Sequence, residues 1–268
     1  MNTADIHARN KVTIQGSGDT VLMLAHGFGC DQRMWRFVLP ELVERYTVVS
    51  FDYVGSGNSR LSSFSKEKYS TLEGYASDVL DIIDTLDCEK VVFVGHSVSS
   101  MIGVIAALKA PGKFSNLIMV CPSPCFLNDL PEYEGGFERA DLEELINLMD
   151  KNYIGWAEYL APLVMGAKAS SELTGELSGS FCSTDPIVAK TFAKATFFSD
   201  HRQLLPQCKT RTLILQSESD ALASVSVGQY MQRHMSNSEI QIVKSEGHCL
   251  HMTDPKVTCE LLSNFLSA

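Results

Sequence analysis

The chain has 268 residues, 45% of them hydrophobic and 20% charged, enough apolar material for a sizeable core and too little polarity for a disordered chain. Lys and Arg total 22 against 32 Asp and Glu, a formal charge of −10 that works against binding nucleic acid or an anionic membrane. Met1 to Arg9 is polar, with no apolar stretch to act as a signal peptide, and no run of about 18 apolar residues follows, so the cytoplasm is the expected compartment.

Length does not separate one large domain from two small ones, so the order of elements must decide. A short apolar run, Val21 to Leu24, leads into the loop Ala25-His26-Gly27-Phe28-Gly29 and then a helix-period segment, Gln32 to Val43. Thr47 to Phe51 reads as a second strand. The Asp52-Tyr53-Val54-Gly55-Ser56-Gly57-Asn58-Ser59 stretch after it lacks the third glycine of a dinucleotide fingerprint and opens no helix, so it reads as a structural turn. A helix over Thr71 to Leu86 precedes the strand Val91 to Val94, which passes through Gly95-His96-Ser97 into a helix of small residues, Val98 to Lys109. Leu117 to Val120 is the next strand. From Leu127 to Phe198 no convincing strand occurs, only helical candidates at Ala140 to Lys151, Ile154 to Met165, Ser170 to Phe181 and Ile187 to Thr196. The alternation then resumes with Thr212 to Leu215, Val225 to His234, Ile240 to Val243 and Pro255 to Leu266.

Such alternation predicts an α/β fold, a mostly parallel sheet flanked by helices. The interruption predicts a core of residues 1–126 and 199–268 with a helical lid, 127–198, inserted in it.

The stretch Gly95-His96-Ser97-Val98-Ser99 lies where a nucleophile elbow belongs, between a buried strand and a helix. Ser99 stands where the usual motif has its second glycine, but serine is small enough for helix and strand to approach. A serine nucleophile needs a base held by a third group, in the chain order Ser, acid, His. Two carboxylates compete for the acid, Glu218 and Asp220, and two imidazoles for the base, His248 and His251. Asp220 is preferred as the shorter side chain deeper in its loop, and His248 because Gly247 allows a close turn. Backbone amides of Phe28 and Val98 are the expected oxyanion hole. His96 is expected to pack beneath the turn, and His7, His201 and His234 to lie at the surface.

The eight cysteines, Cys30, Cys88, Cys121, Cys125, Cys182, Cys208, Cys249 and Cys259, form no CxxC and read as small buried hydrophobes. Cys249 between His248 and His251 raises a zinc site, but paired ligand modules are missing. Neither metal nor cofactor is expected.

With these residues placed, the chain resembles the RsbQ-like bacterial stress-response hydrolases and their plant relatives, the karrikin and strigolactone receptor hydrolases. The likeness runs nearly end to end. His26-Gly27-Phe28-Gly29-Cys30-Asp31-Gln32, Pro122-Ser123-Pro124-Cys125-Phe126 and Phe181-Cys182-Ser183-Thr184-Asp185-Pro186 look RsbQ-like, while Gly95-His96-Ser97-Val98-Ser99 looks like the plant receptors. The resemblance places the triad on Ser97, Asp220 and His248 and the oxyanion amides on Phe28 and Val98. It implies a lid of four helices in a V, with Phe126, Phe137 and Phe197 at pocket-lining aromatic positions. Leu160 stands where the karrikin receptor carries Phe, and Ser224 where the RsbQ-like loop carries Pro. Two functions follow. One is an esterase or lactonase acting on a small apolar ester or butenolide-like lactone through an acyl-enzyme. The other is a signalling protein that binds or slowly cleaves such a molecule and engages a protein partner, a PAS-domain phosphatase by resemblance.

Overall fold

Alternate residues of the central strands go to opposite faces of the sheet, and both faces are covered. Leu22, Leu24, Val92, Val94, Ile118, Val120, Leu213 and Leu215 enter one core; Met23, Phe93, Leu117, Met119 and Ile214 enter the other. Burial on both sides is why these strands read as continuous apolar runs rather than alternating ones. The computed structural model describes residues 2–268.

In chain order the elements are α1 (Thr3–Arg9), β1 (Thr13–Gln15), β2 (Val21–Ala25), α2 (Leu39–Leu42), β3 (Thr47–Ser50), α3 (Lys66–Tyr69), α4 (Leu72–Ile83), β4 (Val91–His96), α5 (Val98–Lys109) and β5 (Phe114–Val120). Four helices follow: α6 (Arg139–Lys151), α7 (Tyr153–Met165), α8 (Ser171–Ser183) and α9 (Pro186–Phe197). The chain closes with β6 (Arg211–Ser219), α10 (Val225–His234), β7 (Ser238–Glu246), α11 (Leu250–Thr253) and α12 (Pro255–Ser267). The sheet order is β1-β3-β2-β4-β5-β6-β7, with only β1 antiparallel to its neighbour. The chain leaves β2 toward β3 on one side and returns to β4 on the other. Their carboxyl ends therefore diverge at a topological switch point, the place where open parallel sheets form clefts.

Two expectations need correction. Gln32 to Val43 is not one helix but a 3₁₀ turn, Gln32–Trp35, followed by α2. Pro40 has no N–H to donate and its ring crowds the carbonyl four residues back, so a continuous helix cannot pass through it. The N-terminal residues, read as merely polar, form α1, capped by the Asn2 side chain on the Asp5 amide at 2.9 Å.

Helix α1 is anchored by a buried charge. The Arg9 side chain is 2% exposed and reaches Asp78, itself 0% exposed, at 3.2 Å, and Asp81 at 2.9 Å. Asp78 also takes hydrogen bonds from Lys68 Nζ at 2.5 Å and the Tyr69 hydroxyl at 2.7 Å. Removing one partner from a buried pair strands the other charge in a low-dielectric interior. Asp78→Ala is therefore expected to cost about 3–5 kcal/mol in urea unfolding. Asp81→Ala, whose side chain is 42% exposed and whose loss leaves Arg9 still paired with Asp78, should cost under about 1 kcal/mol. Equal losses in the two variants would contradict the burial argument.

Candidate active site

Strand β4 ends in a turn that only a small residue permits. A Cβ on Gly95 would lie 2.7 Å from the Ser99 backbone carbonyl carbon, so the strand and α5 meet backbone to backbone. Ser97 sits between them at φ 55° and ψ −122°, a left-handed conformation unusual for a side chain-bearing residue. Its amide is held by the Val120 carbonyl at 2.8 Å.

The residues expected to act with Ser97 come from loops two and three strands away, and the structure brings them together. The Ser97 hydroxyl donates to His248 Nε2 at 2.7 Å, and His248 Nδ1–H donates to Asp220 Oδ2 at 2.7 Å. A carboxylate can only accept, so Nδ1 carries the proton and Nε2 offers its lone pair to the serine. Asp220 Oδ1 accepts the Leu222 and Ala223 amides at 2.8 and 3.2 Å. Glu218 points into solvent and His251 stays out of this chain of bonds.

Loop β7–α11 is shaped from outside the core. Gly247, at φ 98°, packs so closely that a Cβ would lie 2.1 Å from the Met165 carbonyl, and the His248 amide donates to the Val164 carbonyl at 2.7 Å. The last turn of α7 thus touches the backbone of His248 directly.

The imidazole of His96 lies beneath the turn, as expected, and its Nε2–H donates to the His248 carbonyl at 2.9 Å. Its Nδ1 faces Gly27, where a Cβ would approach to 2.3 Å. Burial, reinforced by the His251 and His248 imidazoles, holds His96 well below the usual histidine range. His251 packs against Trp35 at 4.3 Å and His96 at 4.6 Å, and burial pushes it down to about 3. His7 and His201 are half-buried rather than surface-exposed, while His234 is exposed. Among the described residues, Cys249 forms no group of possible metal ligands with His248 and His251. Among the described residues, one trio of possible metal ligands lies within 4.8 Å, Cys121, Asp220 and His248, and two of these already bond each other.

The Phe28 loop is tied down by side chains that sequence reading left unassigned. His26 Nδ1–H donates to the Gly27 carbonyl at 2.8 Å, which sets the plane of the Gly27–Phe28 peptide. His26 Nε2 accepts the Tyr53 amide at 3.1 Å. The Ser99 hydroxyl donates to the His26 carbonyl at 2.5 Å and accepts from the Tyr53 hydroxyl at 2.9 Å. Ser99 thus links α5 to the loop after β2, a bond that glycine at this position could not make. The departure from the usual motif was the signal that could have revealed it. Val98, as the first residue of α5, has no intrahelical acceptor for its amide.

Above Ser97 is a cavity of about 20 Å³ lined by Phe28, Phe126, Leu160, Val164, Leu177, Phe181, Thr196, Phe197 and Leu222. That is room for about one water molecule. Phe28 is the hub of its roof, with ring centroids 6.1 Å from Trp156, 6.1 Å from Phe181, 5.6 Å from Phe192 and 5.7 Å from Phe197. Phe126, Leu160 and Phe197 line this chamber, but Phe137 does not. It lies in the loop before α6 and faces an adjoining groove of about 640 Å³, shared with Leu145, Leu148, Tyr159 and Leu163, that meets the chamber at Leu160, Phe197 and Leu222.

A profile described as the alpha/beta hydrolase fold matches residues 20–255. The chain belongs to the α/β-hydrolase family. It is 39% identical to a karrikin insensitive 2 receptor of Petunia hybrida, over 96% of this chain and 95% of that one. A strigolactone esterase of Arabidopsis thaliana is 36% identical, over 95% of each chain. Among solved structures, a hydrolase from Oleispira antarctica superposes with a TM-score of 0.98 at 60% identity, covering 100% of this chain and 98% of that one. The expected kinship with the plant receptor hydrolases is thereby established. Among the described residues no helix is long and apolar enough to cross a membrane.

The depressed His251 gives the protein an acid sensitivity with a defined sign. Below pH 6.5, the usual value, the unfolded chain takes up a proton that folded His251 refuses until pH falls to about 3. Stability is present above that window and is lost as pH falls through it, at about 1.4 kcal/mol per pH unit for one group. His251→Phe keeps a ring against Trp35 and should reduce the slope of unfolding free energy between pH 5.5 and 4.5 by about that amount. An unchanged slope in urea titrations would show that native His251 titrates normally.

Proposed function

We propose that this α/β hydrolase is a carboxylic ester or lactone hydrolase that works through an acyl-enzyme on Ser97. The observation that carries the reading is the pair of 2.7 Å hydrogen bonds linking Ser97, His248 and Asp220. Ser97 Oγ attacks the carbonyl carbon as His248 Nε2 takes its proton; Asp220 holds the ring in that tautomer and stabilises the imidazolium. The negative charge on the substrate oxygen is met by the Phe28 and Val98 amides, donors oriented before the reaction begins. The imidazolium returns its proton to the leaving alcohol, and water repeats the sequence to release the acid.

The small chamber and its aromatic walls favour apolar substrates, and the relatives named strigolactone esterases support a lactone or ester as the reacting group. Helices α6 to α9 form the lid in this reading. Their side chains fill the chamber, so admission of anything larger than water requires them to move aside.

Ser97→Ala should abolish turnover of p-nitrophenyl acetate while leaving the unfolding midpoint nearly unchanged. Asp220→Asn keeps the shape but presents the wrong hydrogen-bonding partner to His248, and kcat should fall about 10⁴-fold. Glu218→Gln, at an exposed carboxylate, should be nearly silent; the reverse pattern would move the acid to Glu218.

Leu160→Phe adds bulk where groove and chamber meet. Each excluded methylene is worth about 1–3 kcal/mol of discrimination, so kcat/KM for p-nitrophenyl hexanoate should fall at least tenfold more than for the acetate. Equal losses on both esters would mean that Leu160 only packs within α7.

A further inference from the structure

Thr196, near the end of α9, lines the chamber above Ser97, is 3% exposed, and its hydroxyl has no hydrogen-bond partner. Buried threonines in helices commonly turn the hydroxyl back to the carbonyl four residues earlier. Thr191 in the same helix does so, donating to Ile187 at 2.7 Å, and Thr258 does so to Asp254 at 2.9 Å. Thr196 leaves that bond unmade. A buried hydroxyl without a partner is destabilising, which a plain packing role does not repay, because valine would fill the same space.

None of the other polar groups around the chamber is a free strong donor. Ser97 and His248 bond each other. His96 gives Nε2–H to the His248 carbonyl, which leaves its Nδ1, facing Gly27 and without a partner, able only to accept. The thiols of Cys30 and Cys249 are raised by burial and are weak donors at best. Among the described residues lining the chamber, two buried polar atoms lack a partner, His96 Nδ1 and Thr196 Oγ1, and of these only the Thr196 hydroxyl can donate.

We propose that the Thr196 hydroxyl is a substrate-recognition group, donating to an ether or carbonyl oxygen carried by the acyl portion close to the scissile carbonyl. The preferred substrate class is then an oxygenated small acyl ester or lactone rather than a plain alkanoate. A chamber built to hydrogen-bond an oxygen discriminates against the isosteric hydrocarbon, because the hydroxyl is otherwise left unpaired. This rests on the hydrolase reading above and refines it.

The test compares two esters of one shape, p-nitrophenyl methoxyacetate and p-nitrophenyl butyrate, which differ by an ether oxygen in place of a methylene. Each kcat/KM is divided by the ester's hydroxide hydrolysis rate to remove intrinsic reactivity. Thr196→Val should lower the methoxyacetate-to-butyrate ratio about tenfold relative to wild type, the loss expected of one hydrogen bond. Its melting temperature should be equal or raised, since the buried hydroxyl has no partner in the free protein. Thr196→Ser, which keeps the hydroxyl, should hold the wild-type ratio, and it carries the test if the valine variant fails to fold by holding that ratio while Thr196→Ala loses it. A ratio unaltered by loss of the hydroxyl in active enzyme overturns the assignment. Failure of the hydrolase reading looks different: wild type would then turn over neither ester in a Ser97-dependent manner.

Discussion

The close approach of α5 to β4 is the constraint on which the rest of the molecule depends. It forces Ser97 into a left-handed backbone conformation that costs about 1–3 kcal/mol, and it does so only because Gly95 leaves space for the Ser99 backbone. The stable sheet on both sides absorbs that cost. With the serine raised at the switch point, each neighbouring loop needs only to end in the correct place. Residue 28 arrives from β2, Asp220 from β6 and His248 from β7.

Much of this was legible because buried strands and crossover helices leave strong periodic signals. The limits expected for α5 and α10 coincide with those of the structure, since each begins at a sharp turn and ends where the apolar pattern stops. Strand β1 went unread because it is three half-exposed residues at a sheet edge, with no apolar run to mark it. Asp220 and Glu218 lie two residues apart and sequence alone could weigh them only by length and register. In space they separate cleanly, because the shorter carboxylate folds back onto the Leu222 and Ala223 amides while Glu218 projects outward. Phe137 was placed by likeness of position, yet whether a loop aromatic enters a chamber depends on how the loop folds. Here the bridge between Leu127 and Phe137 keeps it in the groove outside.

The polar residues that sequence reading missed share one character. Tyr53, Ser99 and Thr196 are buried hydroxyls whose importance lies in what they bond, or fail to bond, across long sequence separations. Nothing in local composition distinguishes them from ordinary packing residues. Ser99 at least announced itself by standing where glycine is usual; Thr196 is hidden beside the more conspicuous Phe197.

The contact between α7 and the β7–α11 loop constrains how the roof can open. The Val164 carbonyl holds the His248 amide, Gly166 and Gly247 meet backbone to backbone, and the Glu246 carboxylate holds the Ala167 amide at 2.7 Å. An outward translation of α7 as a body would drag the His248 imidazole off Ser97. The C-terminal end of that helix is therefore a fixed point for any opening, while α8 carries its own ties to the core, the Ser180 hydroxyl donating to the Gly29 carbonyl at 2.7 Å and Arg36 donating to the Glu176 carboxylate at 2.7 Å. In the proposed reaction, a roof hinged at that end would open without disturbing the hydrogen bonds of Ser97, His248 and Asp220.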